Sequence, residues 1–122
     1  MQFAILCYND EKVVTSWTQA EDDAVMARLA VVHDRLTAEG KLGPAIRLRP
    51  TTSARTLRKT HPPVVLDGPF AETKEQLLGF YIVNCETSDE VLDIARELAI
   101  ANPGGSYEVR PISLFLPGHD VT

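Results

Sequence analysis

Few residues in this chain combine a titratable side chain with a position from which it can act. His33 is the first of them. It falls four residues after Leu29 and three before Leu36, at the edge of the apolar stripe of a predicted helix. An imidazole there can reach a cleft between helix and sheet, and with an ordinary pKa near ~6.5 it can take or give a proton at neutral pH. A boundary histidine bonded only to backbone or water fits the same spacing. Arg110 stands in a predicted strand among apolar neighbours, Val109 and Ile112. Facing inward it needs a carboxylate or an anionic ligand, because an unpaired buried charge is expensive. Glu108 shares its strand face and can be that carboxylate. Tyr8 and Tyr81 belong to two predicted neighbouring strands, where they can present hydroxyls to an interior or simply fill a core. Lys74, with Glu72 beside it, is either a solvated charge or a cation placed near an anionic ligand.

Other chemistry is set aside. His33, His61 and His119 are too scattered to nominate a metal triad, and Cys7 and Cys85 have no CxxC or Cys/His spacing. There is no P-loop, GxGxxG or GxSxG. The expectation is a protein that needs no cofactor and no metal. A net charge of −5 argues against a nucleic-acid partner. One basic stretch, Arg47, Arg49, Arg55, Arg58 and Lys59, reads as a solvated edge strand that blocks aggregation, or as a landing site for an anionic ligand or partner. No apolar run approaches the ~20 residues that span a bilayer. The N-terminus reads as a strand rather than a signal peptide, which predicts a cytoplasmic protein with no membrane contact.

The elements that must position these residues follow from pattern. At 122 residues the chain suits one domain, here 1–116, with a loose tail over 117–122. Phe3 to Tyr8 is an unbroken apolar run, hence a strand. After a polar loop, Thr18-Gln19-Ala20-Glu21 has the capping-box pattern and opens a helix over about 19–39, with Val25, Leu29, Val32 and Leu36 on one stripe and Gly40 behind it. Ala45 to Arg49 is a second strand. Arg55 to Thr60 and Val64 to Leu66 form an inserted polar hairpin around His61-Pro62-Pro63. Asp67-Gly68-Pro69-Phe70 is a turn in which the Asp is explained by local bonding. Thr73-Lys74-Glu75-Gln76 repeats the capping-box pattern and predicts one short helical turn. Leu78 to Cys85 is a strand, Thr87-Ser88-Asp89-Glu90 caps a second helix that Asn102-Pro103-Gly104-Gly105 stops, and Tyr107 to Phe115 is the last strand, with Pro111 at an edge or bulge.

The order β-α-β, hairpin, β-α-β is a split βαβ, the ferredoxin-like α+β arrangement, with two helices on one face of an antiparallel sheet. Yet both faces of the Phe3–Tyr8 and Leu78–Val83 strands are apolar. A second copy packing its own sheet there, giving a homodimer, is the simplest cover. Antiparallel pairing of these two strands puts Cys7 and Cys85 at opposite ends of the sheet, too far apart to bridge.

Residues 67–81, Asp-Gly-Pro-Phe-Ala-Glu-Thr-Lys-Glu-Gln-Leu-Leu-Gly-Phe-Tyr, resemble the signature of the DGPF proteins, a branch of the YCII-related family. Leu6-Cys7-Tyr8-Asn9-Asp10 and Glu108-Val109-Arg110-Pro111-Ile112 resemble that family's two ends. The resemblance implies a bacterial protein of unknown function with a dimeric α+β barrel of ferredoxin-like protomers. It also implies a His and Asp pair in a cleft, which carries onto His33 and Asp67 as catalytic candidates. Tyr8, Phe70, Lys74, Tyr81 and Arg110 are then candidates for binding a ligand. Two functions follow: a cofactor-free enzyme acting on a small, anionic organic molecule, or a non-catalytic small-molecule-binding or regulatory module associated with alternative sigma factors.

Overall fold

The computed structural model describes residues 1–121. Strand β1 (Gln2–Asn9) leads into a short helix α1 (Glu11–Thr15) and the long helix α2 (Gln19–Ala38). Then come β2 (Leu42–Arg47), a 3-10 turn at Thr51–Ser53, the hairpin β3 (Arg55–Arg58) and β4 (Val64–Asp67), β5 (Gln76–Asn84), α3 (Ser88–Ala101) and β6 (Ser106–Pro111). Four strands form an antiparallel sheet in the order β2-β5-β1-β6, and β3-β4 form a separate two-stranded ribbon. Taken as β1-α2-β2 and β5-α3-β6, this is the ferredoxin-like α+β topology that the sequence predicts.

Local chemistry sets the helix ends. The Thr18 hydroxyl accepts from Glu21 N at 3.1 Å while Glu21 accepts from Thr18 N at 3.2 Å, so two otherwise unpaired backbone donors at the start of α2 are satisfied. At the other end Gly40 adopts φ +70, and Gly40 N and Lys41 N turn back onto the carbonyls of Thr37 and Leu36 at 3.0 and 2.9 Å. Thr87 caps α3 by accepting from Glu90 N at 3.2 Å. Helices α2 and α3 cover one sheet face. Ile5, Leu36, Val83, Val91 and Leu98 have no solvent exposure there, with Phe3, Val25, Leu29 and Ile94 around them.

The structure differs from the sequence reading in three places. Asp10 caps a five-residue helix through Lys12 N (2.9 Å), where a plain polar loop is expected. Residues 73–76 form no helical turn: Thr73 Oγ1 donates to the Glu75 carbonyl, and Gln76 already belongs to β5. The capping-box pattern needs apolar residues at helical spacing behind it, and here a strand follows. The last strand ends at Pro111, not Phe115: Ile112 N still donates to the Gln2 carbonyl at 2.9 Å, but Gln2 is the first residue of β1 and no partner strand continues beyond it. The cysteines lie where expected, Cys7 opposite Gly79 and Cys85 beside Met1, at opposite ends of the β1–β5 pair.

Candidate active site

The helix-facing side of the sheet is not completely filled. Towards the C-terminal end of β1 a cavity of about 580 Å³ opens between the sheet, the N-terminal half of α2, α1 and the segment after β2. That volume is within the range of small-molecule sites. Two β-bulges shape it. Between Cys7 and Tyr8 the register on β5 skips Leu78, and between Leu42 and Ala45 the β2 strand sets two residues, Gly43 and Pro44, against the single Ile82 of β5. Bulges re-aim side chains locally and often flank sites. Gly79 lies in the floor. A Cβ there would stand 2.1 Å from the Ile46 carbonyl oxygen, so the β2–β5 contact at the cavity requires a bare backbone.

His33 and Tyr81 meet in the wall, with His33 Nε2 and the Tyr81 hydroxyl 2.9 Å apart and the rings edge-on at 5.2 Å between centroids. Helix α2 sets His33 on the sheet-facing edge of its stripe. Tyr81 reaches it from β5, opposite Ile5 of β1 and Ala45 of β2. Burial lowers the His33 pKa, with the neighbouring Asp34 carboxylate pulling weakly the other way. The neutral ring is therefore favoured. Burial pushes the Tyr81 phenol up to about 12, with Cys7 adding to the rise and Arg47 opposing it. The Cys7 thiol, on the same floor, is pushed up to about 12 by burial. Tyr107 is raised further, by burial first and then by Cys7 and Tyr81. At neutral pH the floor is thus a set of protonated, uncharged hydroxyl and thiol groups.

Of the residues nominated by sequence, Tyr8, His33 and Tyr81 line this cavity. Asp67, Phe70, Lys74 and Arg110 do not. Asp67 is almost wholly exposed at the end of β4 and pairs with Arg55 at 3.6 Å, so within one chain it does not orient His33. Phe70 is 77% exposed. Lys74 is exposed in the turn before β5. Arg110 and Glu108 pair with Ala4 and Leu6, which puts both on the sheet face away from the helices, exposed and without an ion pair between them among the described residues.

Several lining residues were not nominated. Tyr107 stands opposite Cys7, and its alternation with Val109 along β6 is a signal that could have marked it. Glu11 accepts from Thr51 N and Thr51 Oγ1, both at 2.7 Å, tying α1 to the segment after β2 at the cavity mouth. Arg47 pairs with Asp22 at 3.1 Å across the same mouth. No local pattern announces either contact, since each joins residues 25 or more positions apart. The Oδ1 atom of Asn102, another lining residue, is buried without a partner among the described residues. No three His, Cys, Asp or Glu side chains among the described residues group as a metal site needs.

The arrangement is a hydrogen-bonded His33–Tyr81 pair in the wall of a largely apolar cavity, carried on a ferredoxin-like α+β fold. The family model for the YCII-related domain matches residues 1–116, and the chain belongs to that family. It is also similar to an uncharacterized protein of Rhizobium meliloti (strain 1021), at 56% identity over 120 residues that cover 97% of each chain. No helix among the described residues is long and apolar enough to cross a membrane.

Proposed function

We propose that the protein binds a small organic molecule in this cavity and that His33 and Tyr81 act on it as a proton-transfer pair, without a bound cofactor. The observation that carries the reading is the 2.9 Å contact between His33 Nε2 and the Tyr81 hydroxyl in the cavity wall. A relay through it balances. His33 Nδ1 takes a proton from a substrate carbon, Nε2 hands its own proton to the Tyr81 oxygen, and Tyr81 gives its phenol proton to a substrate oxygen. One proton moves between two substrate atoms, which is an isomerisation of the keto–enol kind. The lowered His33 pKa keeps the ring unprotonated and able to accept, and the raised Tyr81 pKa keeps the phenol able to donate.

The same reading places the chain in the DGPF branch through residues 67–81, in the bacterial cytoplasm, as a homodimer whose copies cover each other's open surfaces. In support, the cross-strand pair Leu57 and Val65 is 58% and 53% exposed on the hairpin, more apolar surface than a lone ribbon needs.

A thermal-shift screen of small carbonyl compounds on wild type and His33→Gln tests the chemistry. A ligand at 100 times its Kd stabilises the protein by ~2.7 kcal/mol. The expected result is a compound that stabilises wild type strongly and His33→Gln weakly. A compound that stabilises both equally leaves only a binding module, the regulatory alternative, and removes His33 from the site.

A further inference from the structure

The charges around the cavity point away from an anionic ligand. Three permanently charged side chains line it: Glu11, Asp22 and Arg47. Arg47, its single cation among the described residues, is held by Asp22 at 3.1 Å and also donates to the Met26 sulfur at 3.4 Å. Glu11 is held by Thr51. The sum is net negative. Lys74 and Arg110, the cations that could have balanced an anion, are elsewhere. An anion entering here would lose its hydration and meet no uncommitted positive group, a desolvation cost nothing offsets. A cation fares no better, because both carboxylates already have partners and the rest of the wall carries no charge: Val14, Trp17, Met26, Leu29, Ile46 and Leu48 alternate there with neutral polar side chains such as Gln19 and Asn9.

What the cavity does offer is hydroxyl protons on one floor. Tyr81 and Tyr107 flank β1 from its two sides, opposite Ile5 and Cys7, and close enough for Tyr81 to raise the Tyr107 pKa. Asn102 Oδ1, in the same lining, has no hydrogen-bond partner among the described residues, so the Tyr107 proton is not spent on it. Phenols that keep their protons donate to a neutral oxygen acceptor.

Resting on the reading that this cavity is the working site, we infer that its ligand is an uncharged, largely apolar molecule carrying a carbonyl oxygen, held between the apolar mouth and the Tyr81 and Tyr107 hydroxyls.

Three probes of one shape separate the classes: 2-acetylnaphthalene, 2-naphthoate and 2-naphthylmethylamine, titrated at pH 7.5 by calorimetry. The ketone is expected to bind at least ~10-fold more tightly than either charged probe, and Tyr81→Phe and Tyr107→Phe each to weaken it by roughly 3- to 10-fold, as for loss of one hydrogen bond. Asp22→Asn frees Arg47 and is expected to strengthen naphthoate binding while leaving the ketone within about twofold. Circular dichroism of each variant confirms folding before titration. Naphthoate or the amine binding as tightly as the ketone overturns the inference, and so does the absence of binding by all three. The acetyl methyl protons report on chemistry separately, through their exchange with D2O followed by NMR. A ketone that binds without accelerated exchange sinks the proton-transfer reading and leaves the ligand class standing. Naphthoate binding that disappears in His33→Gln does the reverse.

Discussion

The helix-covered half of the molecule and the β3–β4 ribbon both carry large apolar strand residues, yet only those of the first are buried by their own chain. Along β1 and β5, Phe3, Ile5 and Val83 are at most 2% exposed because α2 and α3 lie over them. Along the ribbon, Leu57, Val64, Val65 and Leu66 are 42–58% exposed, and the ribbon's Arg55 and Asp67 pair with each other rather than with the body. The sheet face away from the helices is intermediate, with Ala4, Leu6, Phe80 and Ile82 half-buried. Apolar residues in a strand therefore do not by themselves say that their own chain buries them.

Truncation on the two sides gives the sharpest contrast. Leu36→Ala, at a position with no exposure, is expected to cost about 2–5 kcal/mol in urea unfolding, from lost transfer energy plus the cavity left behind. Val65→Asp on the ribbon is expected to leave the secondary structure intact but convert a two-copy species into a one-copy species in sedimentation. If Val65→Asp changes neither mass nor stability, and the wild type sediments as a single copy at micromolar concentration, the ribbon is solvent-exposed after all and the homodimer fails.

A smaller contrast compares two stretches with one pattern. Thr18-Gln19-Ala20-Glu21 and Thr73-Lys74-Glu75-Gln76 both read as capping boxes, and only the first is one. Thr18→Ala should cost about 1 kcal/mol, the usual worth of an N-cap, whereas Thr73→Ala removes one exposed turn contact and should cost less than about 0.5 kcal/mol. Equal losses in chemical denaturation would mean that residues 73–76 carry more of the fold than their geometry suggests.

The same pair shows how much was legible. Helices α2 and α3, the core stripe and the four-strand order follow from periodicity, caps and the split βαβ pattern, because those features are local or repeat at a fixed spacing. His33 and Tyr81 were both legible as candidates, His33 from its edge-of-stripe position and Tyr81 from strand alternation. That they touch was not, since it depends on how far α2 is set over β5. The Glu11–Thr51 and Asp22–Arg47 contacts are tertiary in the same sense. The apolar neighbours of Arg110 leave open whether it faces inward. Strand parity decides it: Arg110 pairs with Ala4, whereas the buried face runs through Phe3 and Ile5.

The smallest effect expected is a pH dependence carried by His33. Burial holds its folded-state pKa below the unfolded value near ~6.5, so the unfolded chain binds the proton more readily. The stability contributed by the neutral ring is fully present above ~6.5 and is lost as pH falls through the lower folded value. Acidifying from pH 7.5 to 5.5 should thus lower the melting temperature of wild type, and His33→Gln, which cannot titrate, should show a shallower fall. Two carboxylates are lowered as well, but without entering this window: Glu39 is held low by its hydrogen bond from Arg35, and Glu90 by the Glu86 backbone N–H and then Lys41. Their contributions are complete above the ordinary carboxylate range and fade only below it. The interval between 7.5 and 5.5 therefore isolates the imidazole. Tyr81→Phe sharpens the assignment, because it removes the hydroxyl at 2.9 Å but leaves the surrounding burial. If burial dominates, Tyr81→Phe keeps a wild-type slope. A slope that flattens in Tyr81→Phe as much as in His33→Gln would show that the hydroxyl, not desolvation, is what keeps the ring neutral.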